Sequence, residues 1–512
     1  MTTHLIGIDV GTSSAKAVLI DEFGTVLETV APEYDFSTPH PLWAESDPAD
    51  WWEATVKAIR ALLEKVEPSS VAGIGLTGQM HGMVALDGAG SVLRPCIMWN
   101  DQRTAVQCEA ITEQVGAEKL IQLTGNPVLP GFTAPKIAWT RENEPEVYGE
   151  IAKIVLPKDY ARYKLTGEFF TDVSDASGTS LLDVANRRWS EEMLAALDIP
   201  LSWMPEVTES PVASAKVSKE ASEATGLLEG TPVIAGGGDQ AAQAVGCGIV
   251  GEGTISATLG TSGVVFAHSD KYRVESEGKL HAFCHAVPGK WHLMGVMLSA
   301  AGSFQWYRNQ LCKEEMSAEA AGGPDAYDAM TKQAAAAPPG SEGLLFLPYL
   351  SGERTPHPDP NARGSFVGLS LRHEKSHLTR AVLEGVCYGL NDSLTLMRNL
   401  GIEPDRIILS GGGARSTLWK QMLADVFTTR CEMVNAVEGA AYGAALLASV
   451  GVGVYSSVEE ACKACIRVTD SVEPGPDRDA YEAFYPRYRA LYPALSEEFQ
   501  ALAETVAAQS ED

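Results

Sequence analysis

Two aspartates stand at the ends of apolar runs. Asp9 follows Leu5-Ile6-Gly7-Ile8, and Asp239 follows Val233-Ile234-Ala235 and the glycines Gly236-Gly237-Gly238. A carboxylate ending a buried strand costs free energy unless it is partnered, and beside phosphates its natural partner is Mg²⁺. The glycines let a ligand approach the backbone, and an aspartate after them is placed to accept a proton from a bound hydroxyl. Asp239 is equally placed to cap the helix that Ala241-Ala242-Gln243-Ala244-Val245 predicts.

Two turns carry a second kind of chemistry. Gly11-Thr12-Ser13-Ser14 and Gly260-Thr261-Ser262-Gly263 each separate two apolar runs. Backbone N–H groups and hydroxyls in such a turn make a nest for an anion, although the same residues also form plain hairpin corners. Their matching places suggest two halves of similar design, whose interdomain cleft would bring both turns onto one polyphosphate. The string G-x-x-x-x-G-K-[ST] of a P-loop enzyme is absent.

Other strings match chemistry that their context opposes. His373-Glu374-Lys375-Ser376-His377 spells a zinc-protease motif, which needs both histidines on one helical face. Ser376 is predicted to cap the helix that follows, leaving His373 outside it. Ser13-Ser14-Ala15-Lys16 matches S-x-x-K but lies between strands without companion motifs. His281, Cys284, His285 and His292 have a metal-site composition on strand-period segments, which would divide them between faces. Cys462 and Cys465 form a single CxxC on a predicted helix and read as ordinary thiols.

The surrounding sequence must position these residues. Leu5–Val10, Ala17–Ile20 and Thr25–Glu28 predict a three-strand meander with tight turns. Asp47 predicts a helix N-cap with Pro48 at the first position and an apolar face of Trp52, Val56, Ile59, Leu63 and Val66. Val71–Leu76 reads as a buried strand ending at Thr77-Gly78-Gln79. Strands followed by alternating helices and strands imply an α/β fold with a mixed, covered sheet. The opening pattern returns at Thr254–Leu259 and Val264–Ala267, so a hinge is expected in the Gly-rich stretch 246–253, giving domains 1–245 and 246–512. Ser376 to Asn399 predicts a long helix with Gly401 as its C′ stop, then a buried strand at Ile407–Leu409. The C-terminal segment reads as polar helices.

Composition bounds the function. The chain of 512 residues has 67 acidic and 39 basic side chains, a formal net charge of −28. That field opposes nucleic-acid backbones, whereas a few local donors still admit an anionic substrate. Hydrophobic residues at 45% and charged residues at 21% support substantial cores and exclude disorder as the dominant state. Nine cysteines, an odd count, do not suggest a disulfide framework. The start of the chain lacks a signal-peptide pattern, and the longest uncharged run, Gly439–Val458, suits a buried small-residue helix better than a membrane span. A cytoplasmic protein is expected, with a homodimer left open.

In order along the chain, Asp9–Ser14, Phe132–Trp139, Gly236–Asp239, Leu259–Gly263, Leu298–Trp306, Gly364–Gly389 and Leu409–Ser416 resemble the FGGY carbohydrate kinases of the actin-like ATPase superfamily. His40–Trp43, Gly78–Gly82, Trp99–Asp101, Leu156–Asp159 and Phe346–His357 are most similar to the branch acting on D-xylulose. The resemblance implies two ribonuclease-H-like domains closing on a catalytic cleft, with ATP and Mg²⁺ as cofactors and D-xylulose as the sugar. It implies Asp239 as proton acceptor and sugar ligand, Asp9 as the residue organising Mg²⁺, and Met80 and His81 as sugar contacts, with Trp99 and Asn100 beside them. Thr12, Ser13, Gly260 and Thr261 fall on its phosphate turns, and Gln305, Gly412 and Ser416 on positions around the adenosine. Gln240 departs from the asparagine common after the aspartate. Another sugar or polyol (ribulose, gluconate, glycerol) is the alternative substrate, and an ATP-driven switch without catalysis the alternative class.

Overall fold

The computed structural model describes residues 3–435 and 438–510. Contacts divide the chain into two compact units, Met1–Gly251 with His268–His292 and Asn435–Arg467, and Glu252–Ala267 with Leu293–Val434 and Val468–Asp512.

In the first unit, Leu5, Ile6, Ile8 and Val10 are fully buried on β1 (His4–Val10). β1 turns into β2 (Ala15–Asp21), and β2 into β3 (Val26–Val30), the antiparallel meander that the sequence predicts. Helix α1 (Pro48–Leu62) begins as expected, with the Asp47 side chain accepting the Ala49 N–H and Pro48 in the first turn. Its buried face differs from the expected one: Trp51, Ala54, Thr55, Ala58, Ile59 and Leu62 are inside, while Trp52, Leu63 and Val66 pack at the margin. Counting only large apolar residues misplaced the face, because Ala54 and Ala58 bring the helix close without announcing themselves.

β4 (Val71–Gly78) joins β1 in parallel. Further strands are β5 (Ala213–Lys216), β6 (Pro232–Ile234) and the short β7 (Gly237–Gly238), which leads into α3 (Asp239–Gly246). The sheet order is β5-β6-β4-β1-β2-β3, with β7 against β4. Asp9 pairs in register with Thr77, and Thr77 with Gly237. The parallel strands β1, β4 and β7 therefore deliver Asp9 and Asp239 to the same carboxyl edge, where open α/β sheets bind ligands. The helix Gly439–Gly451 covers this sheet. A Cβ on Gly7 would lie 2.0 Å from the Ala441 carbonyl oxygen, and one on Gly75 1.9 Å from that of Ala444, so these glycines are required for the contact.

The second unit repeats the plan. β8 (Thr254–Leu259) and β9 (Gly263–Ser269) are antiparallel and flank the Gly260–Ser262 turn. With β10 (Trp291–Met297), β11 (Arg406–Ser410), β12 (Cys431–Val434) and β13 (Val468–Val472), the order is β10-β9-β8-β11-β12-β13. β8, β11 and β12 are parallel and β13 antiparallel, matching β1, β4, β6 and β5 of the first sheet. Two predictions need correction. The long helix, Lys375–Asn399, is capped by Glu374 in a capping box with His377, and Ser376 lies inside its first turn. The C-terminal segment includes β13, whose Val-Thr-Asp-Ser-Val is mostly exposed and gains its order from the ladder to β12.

Candidate active site

Asp9 reaches the carboxyl edge with Oδ1 buried and no hydrogen-bond partner among the described residues. Burial, reinforced by the charge of Asp239 and opposed by Lys16, pushes its pKa up to about 7. Lys16 is its register neighbour on β2 and also pairs with Glu438 at 3.6 Å. Asp239 opens α3 but does not cap it; the cap position is Gly238. One oxygen of Asp239 accepts the Gln240 backbone N–H at 2.7 Å, and the Gln240 side chain also bonds the carboxylate. Burial outweighs these bonds and raises the Asp239 pKa to about 6. Such a carboxylate is ionised near neutrality yet basic enough to take a proton.

A buried relay, missed in the sequence reading, stands behind Asp239. The Gly238 N–H donates to Ser174 Oγ at 3.1 Å, and the Ser174 hydroxyl donates to Asp172, which caps the helix Val173–Ala176. Lys158 Nζ lies 3.0 Å from Asp172 and also faces Asp159 and Asp175, all four side chains being fully buried. Burial, with repulsion from the neighbouring aspartates including Asp239, holds Asp175 well above the usual carboxylate range against the pull of Lys158. Leu156–Asp159 signals a family resemblance in sequence, but only the fold reveals what Lys158 faces.

Met80 and His81 follow β4. Met80 is buried against Gly238, where a Cβ would meet its sulfur at 2.9 Å. His81 stacks on Phe132 at 4.4 Å, and its Nδ1 bonds the Gly178 carbonyl at 2.7 Å, so Nδ1 carries the hydrogen. Trp99 is 43% exposed and donates its indole N–H to Thr12 Oγ1 at 3.0 Å, joining a residue expected at the sugar to one expected at the phosphates. Asn100 has a buried Oδ1 without a partner among the described residues. The Gly11–Ser14 turn is clamped by Tyr34, whose hydroxyl reaches the carbonyls of Gly11 and Ser14 at 2.6 and 3.0 Å, and by Gln79 Nε2 on Gly11 at 3.0 Å. Ser13 is exposed and Thr12 half-buried.

In the second unit, Gly260, Thr261, Gln305, Gly412 and Ser416 line one cavity of about 600 Å³. Helix α4 (Ala301–Leu311) staples the turn: the N–H groups of Ala300 and Ala301 reach the carbonyls of Thr261 and Gly260, both at 2.9 Å. Ser416 caps α5 (Thr417–Phe427), its Oγ accepting the Trp419 N–H at 3.3 Å, so the positive end of that helix faces the cavity. A Cβ on Gly412 would meet nothing within 4 Å. Tyr327 and Thr331 also line the wall and had no motif to mark them, whereas Phe304 falls within the Leu298–Trp306 segment.

The remaining strings are settled locally. His373 lies outside the Lys375–Asn399 helix, as expected. His285 and His292 come together with His268, rings 5.7 and 5.1 Å from His285, whereas His281 stacks on Phe283 and Cys284 Sγ points to the Val184 carbonyl. Burial pushes the His292 pKa down to about 3. Cys462 and Cys465 sit on the helix Val458–Cys465 as buried free thiols. Among the described residues no helix is long and apolar enough to cross a membrane.

Residues 4–246 match the N-terminal domain of the FGGY family of carbohydrate kinases, and residues 255–452 its C-terminal domain. The chain is similar to the xylulose kinase of Escherichia coli, 43% identical over 94% of this chain and 96% of that one. It is 32% identical to the gluconokinase of Bacillus subtilis, over 90% of each. The solved structure of xylulose kinase from Rhodospirillum rubrum superposes with a TM-score of 0.90 at 32% identity, covering 97% of this chain and all of that one. The repeated sheet plan, the two carboxylates on one sheet edge and these matches lead to one assignment: the chain is a sugar kinase with the two-domain α/β fold of the actin-like ATPases and belongs to the FGGY family of carbohydrate kinases.

Proposed function

We propose that this enzyme transfers the γ-phosphoryl group of ATP to the 5-hydroxyl of D-xylulose, in the cytoplasm. The observation that carries the proposal is Asp239, a carboxylate raised to about 6 and set beside Met80 across Gly238. The 43% identity to a xylulose kinase, against 32% to a gluconokinase, supports the choice of sugar.

In this reading residues 1–245 hold the sugar, through Met80, His81, Trp99 and Asn100, and residues 246–512 hold the nucleotide, through Gly260, Thr261, Gln305, Gly412 and Ser416. Thr12 and Ser13 receive the phosphates on the sugar side. Asp239 takes the proton from the 5-hydroxyl as its oxygen bonds to phosphorus and the bond to the β-phosphate oxygen breaks. Phosphoryl transfer asks mainly for in-line positioning and charge neutralisation, which suits a site built of turns, helix ends and one base. Asp9, with its buried and unbonded Oδ1, fits as the residue that would hold Mg²⁺, because that ion binds through one or two carboxylates plus phosphate oxygens. When bound, Mg²⁺ supplies neutralising charge at the phosphates.

A coupled assay of ADP release tests the reading over D-xylulose, D-ribulose, D-gluconate, glycerol and no sugar. The expected result is release that depends on sugar and is fastest, by kcat/KM, with D-xylulose. A faster alternative sugar would overturn the substrate, and release indifferent to every sugar would overturn catalysis in favour of a switch.

A further inference from the structure

The residue expected to touch the sugar is held in a conformation it would not choose. His81 has φ of +69°, in the left-handed region that is strained for a non-glycine residue. The Gly82 N–H closes a tight turn onto the Met80 carbonyl at 2.9 Å, with His81 as its central residue. Its carbonyl oxygen receives two donors from helix α2 (Thr133–Asn143), one of the helices between β4 and β5 in the chain: Lys136 Nζ at 2.9 Å and Thr133 Oγ1 at 3.0 Å.

Lys136 is an unusual donor. Its side chain is wholly buried, and among the described residues no carboxylate lies within ion-pairing distance. Burial is also the leading reason its pKa falls to about 7. Its second bond, at 2.6 Å, goes to the Gly131 carbonyl, and Gly131 itself lies against the Trp99 carbonyl, where a Cβ would come within 2.5 Å. One ammonium thus ties the His81 turn to the segment bearing Trp99. A buried lysine bonded only to carbonyls costs folding free energy that an apolar side chain of the same length would not. The neighbouring Phe132 gives the His81 ring its stacking surface, so one helix start fixes both backbone and ring.

We propose that Lys136 and Thr133 are positioning residues for sugar recognition, holding the left-handed backbone of His81 so that its ring and the Trp99 segment keep their places. This inference rests on His81 contacting the sugar.

The test measures KM for D-xylulose, KM for ATP and kcat in the full-length enzyme. Thr133→Val keeps the side-chain shape and removes the hydroxyl; it is expected to raise the sugar KM about fivefold to tenfold, leaving the ATP KM unchanged and kcat within about threefold. Thr133→Ser returns the hydroxyl and is expected to restore the parent sugar KM, a rescue that a purely structural role for Thr133 would not give. Lys136→Met is expected to raise the sugar KM more than tenfold; should it fail to fold, the Thr133 pair decides. His81→Gln serves as the reference. A raised sugar KM in His81→Gln alone, with Thr133→Val and Lys136→Met at the parent value, overturns the positioning role. An unchanged sugar KM in His81→Gln overturns the underlying contact and the positioning role with it.

Discussion

Charge is handled in opposite ways at the two proposed ligand sites. The first unit collects ionisable groups away from water: Asp9, Asp239, the Lys158 cluster and Lys136, with Asp9, Asp239 and Lys136 all drawn to within about a unit of pH 7. The cavity of the second unit presents a stapled turn, an open glycine and a helix end, and its charged lining residues, Asp325, Asp328 and Arg415, stay exposed to water. Proton transfer needs a group whose charge can change near neutral pH, whereas gripping a polyphosphate needs fixed donors that never titrate. The contrast suits the proposed function, with bond-making in the first region and nucleotide binding in the second.

The largest effect should come from removing the proposed base. Asp239→Ala is expected to lower kcat by about three powers of ten while ATP affinity, read by calorimetry, stays within twofold. Equal losses in both quantities would erase the division of labour. Asp9→Asn should lower kcat by about a hundredfold and change the dependence on Mg²⁺ concentration. It should also stabilise the metal-free protein. Because folding raises the Asp9 pKa, the folded state holds its proton more tightly than the unfolded chain. The penalty of the buried charge is therefore complete above pH 7 and absent below about pH 4. Thermal unfolding should show Asp9→Asn more stable at pH 8 by about 1–3 kcal/mol, the figure reduced for partial exposure, and level with the parent at pH 4. A variant equally stable at both pH values would mean Asp9 is not strained. The smallest effect belongs to the second region: Gly412→Val should raise the ATP KM about tenfold with the sugar KM unchanged. A rise in the sugar KM instead would move Gly412 out of the nucleotide cavity's account.

Much of this was legible in the residues. The Asp9 and Asp239 strands, both Gly-Thr turns and the internal repeat follow from apolar runs punctuated by glycine, a signal local enough to survive without tertiary information. The α1 face shifted because small residues decide close packing yet weigh little in a hydrophobic pattern, and β13 was hidden because an exposed edge strand has no apolar face to advertise. The Tyr34 clamp and the grip of Lys136 on His81 join residues tens of positions apart in sequence, the Lys158 cluster draws Asp172 and Asp175 from a different element, and no spacing rule encodes such contacts. Ser174, one hydroxyl linking Asp172 to Gly238, is the plainest case: its role exists only once β7 has paired with β4.

The pH dependence of kcat for D-xylulose phosphorylation, at saturating ATP and Mg²⁺, tests most directly whether Asp239 is the proton acceptor. Because the base must be ionised to work, the parent rate should fall tenfold per unit as pH drops below about 6, where Asp239 takes up its proton. The residual rate of Asp239→Ala should lack that limb. An acid limb that survives the substitution unaltered would place the proton acceptor elsewhere and contradict the account.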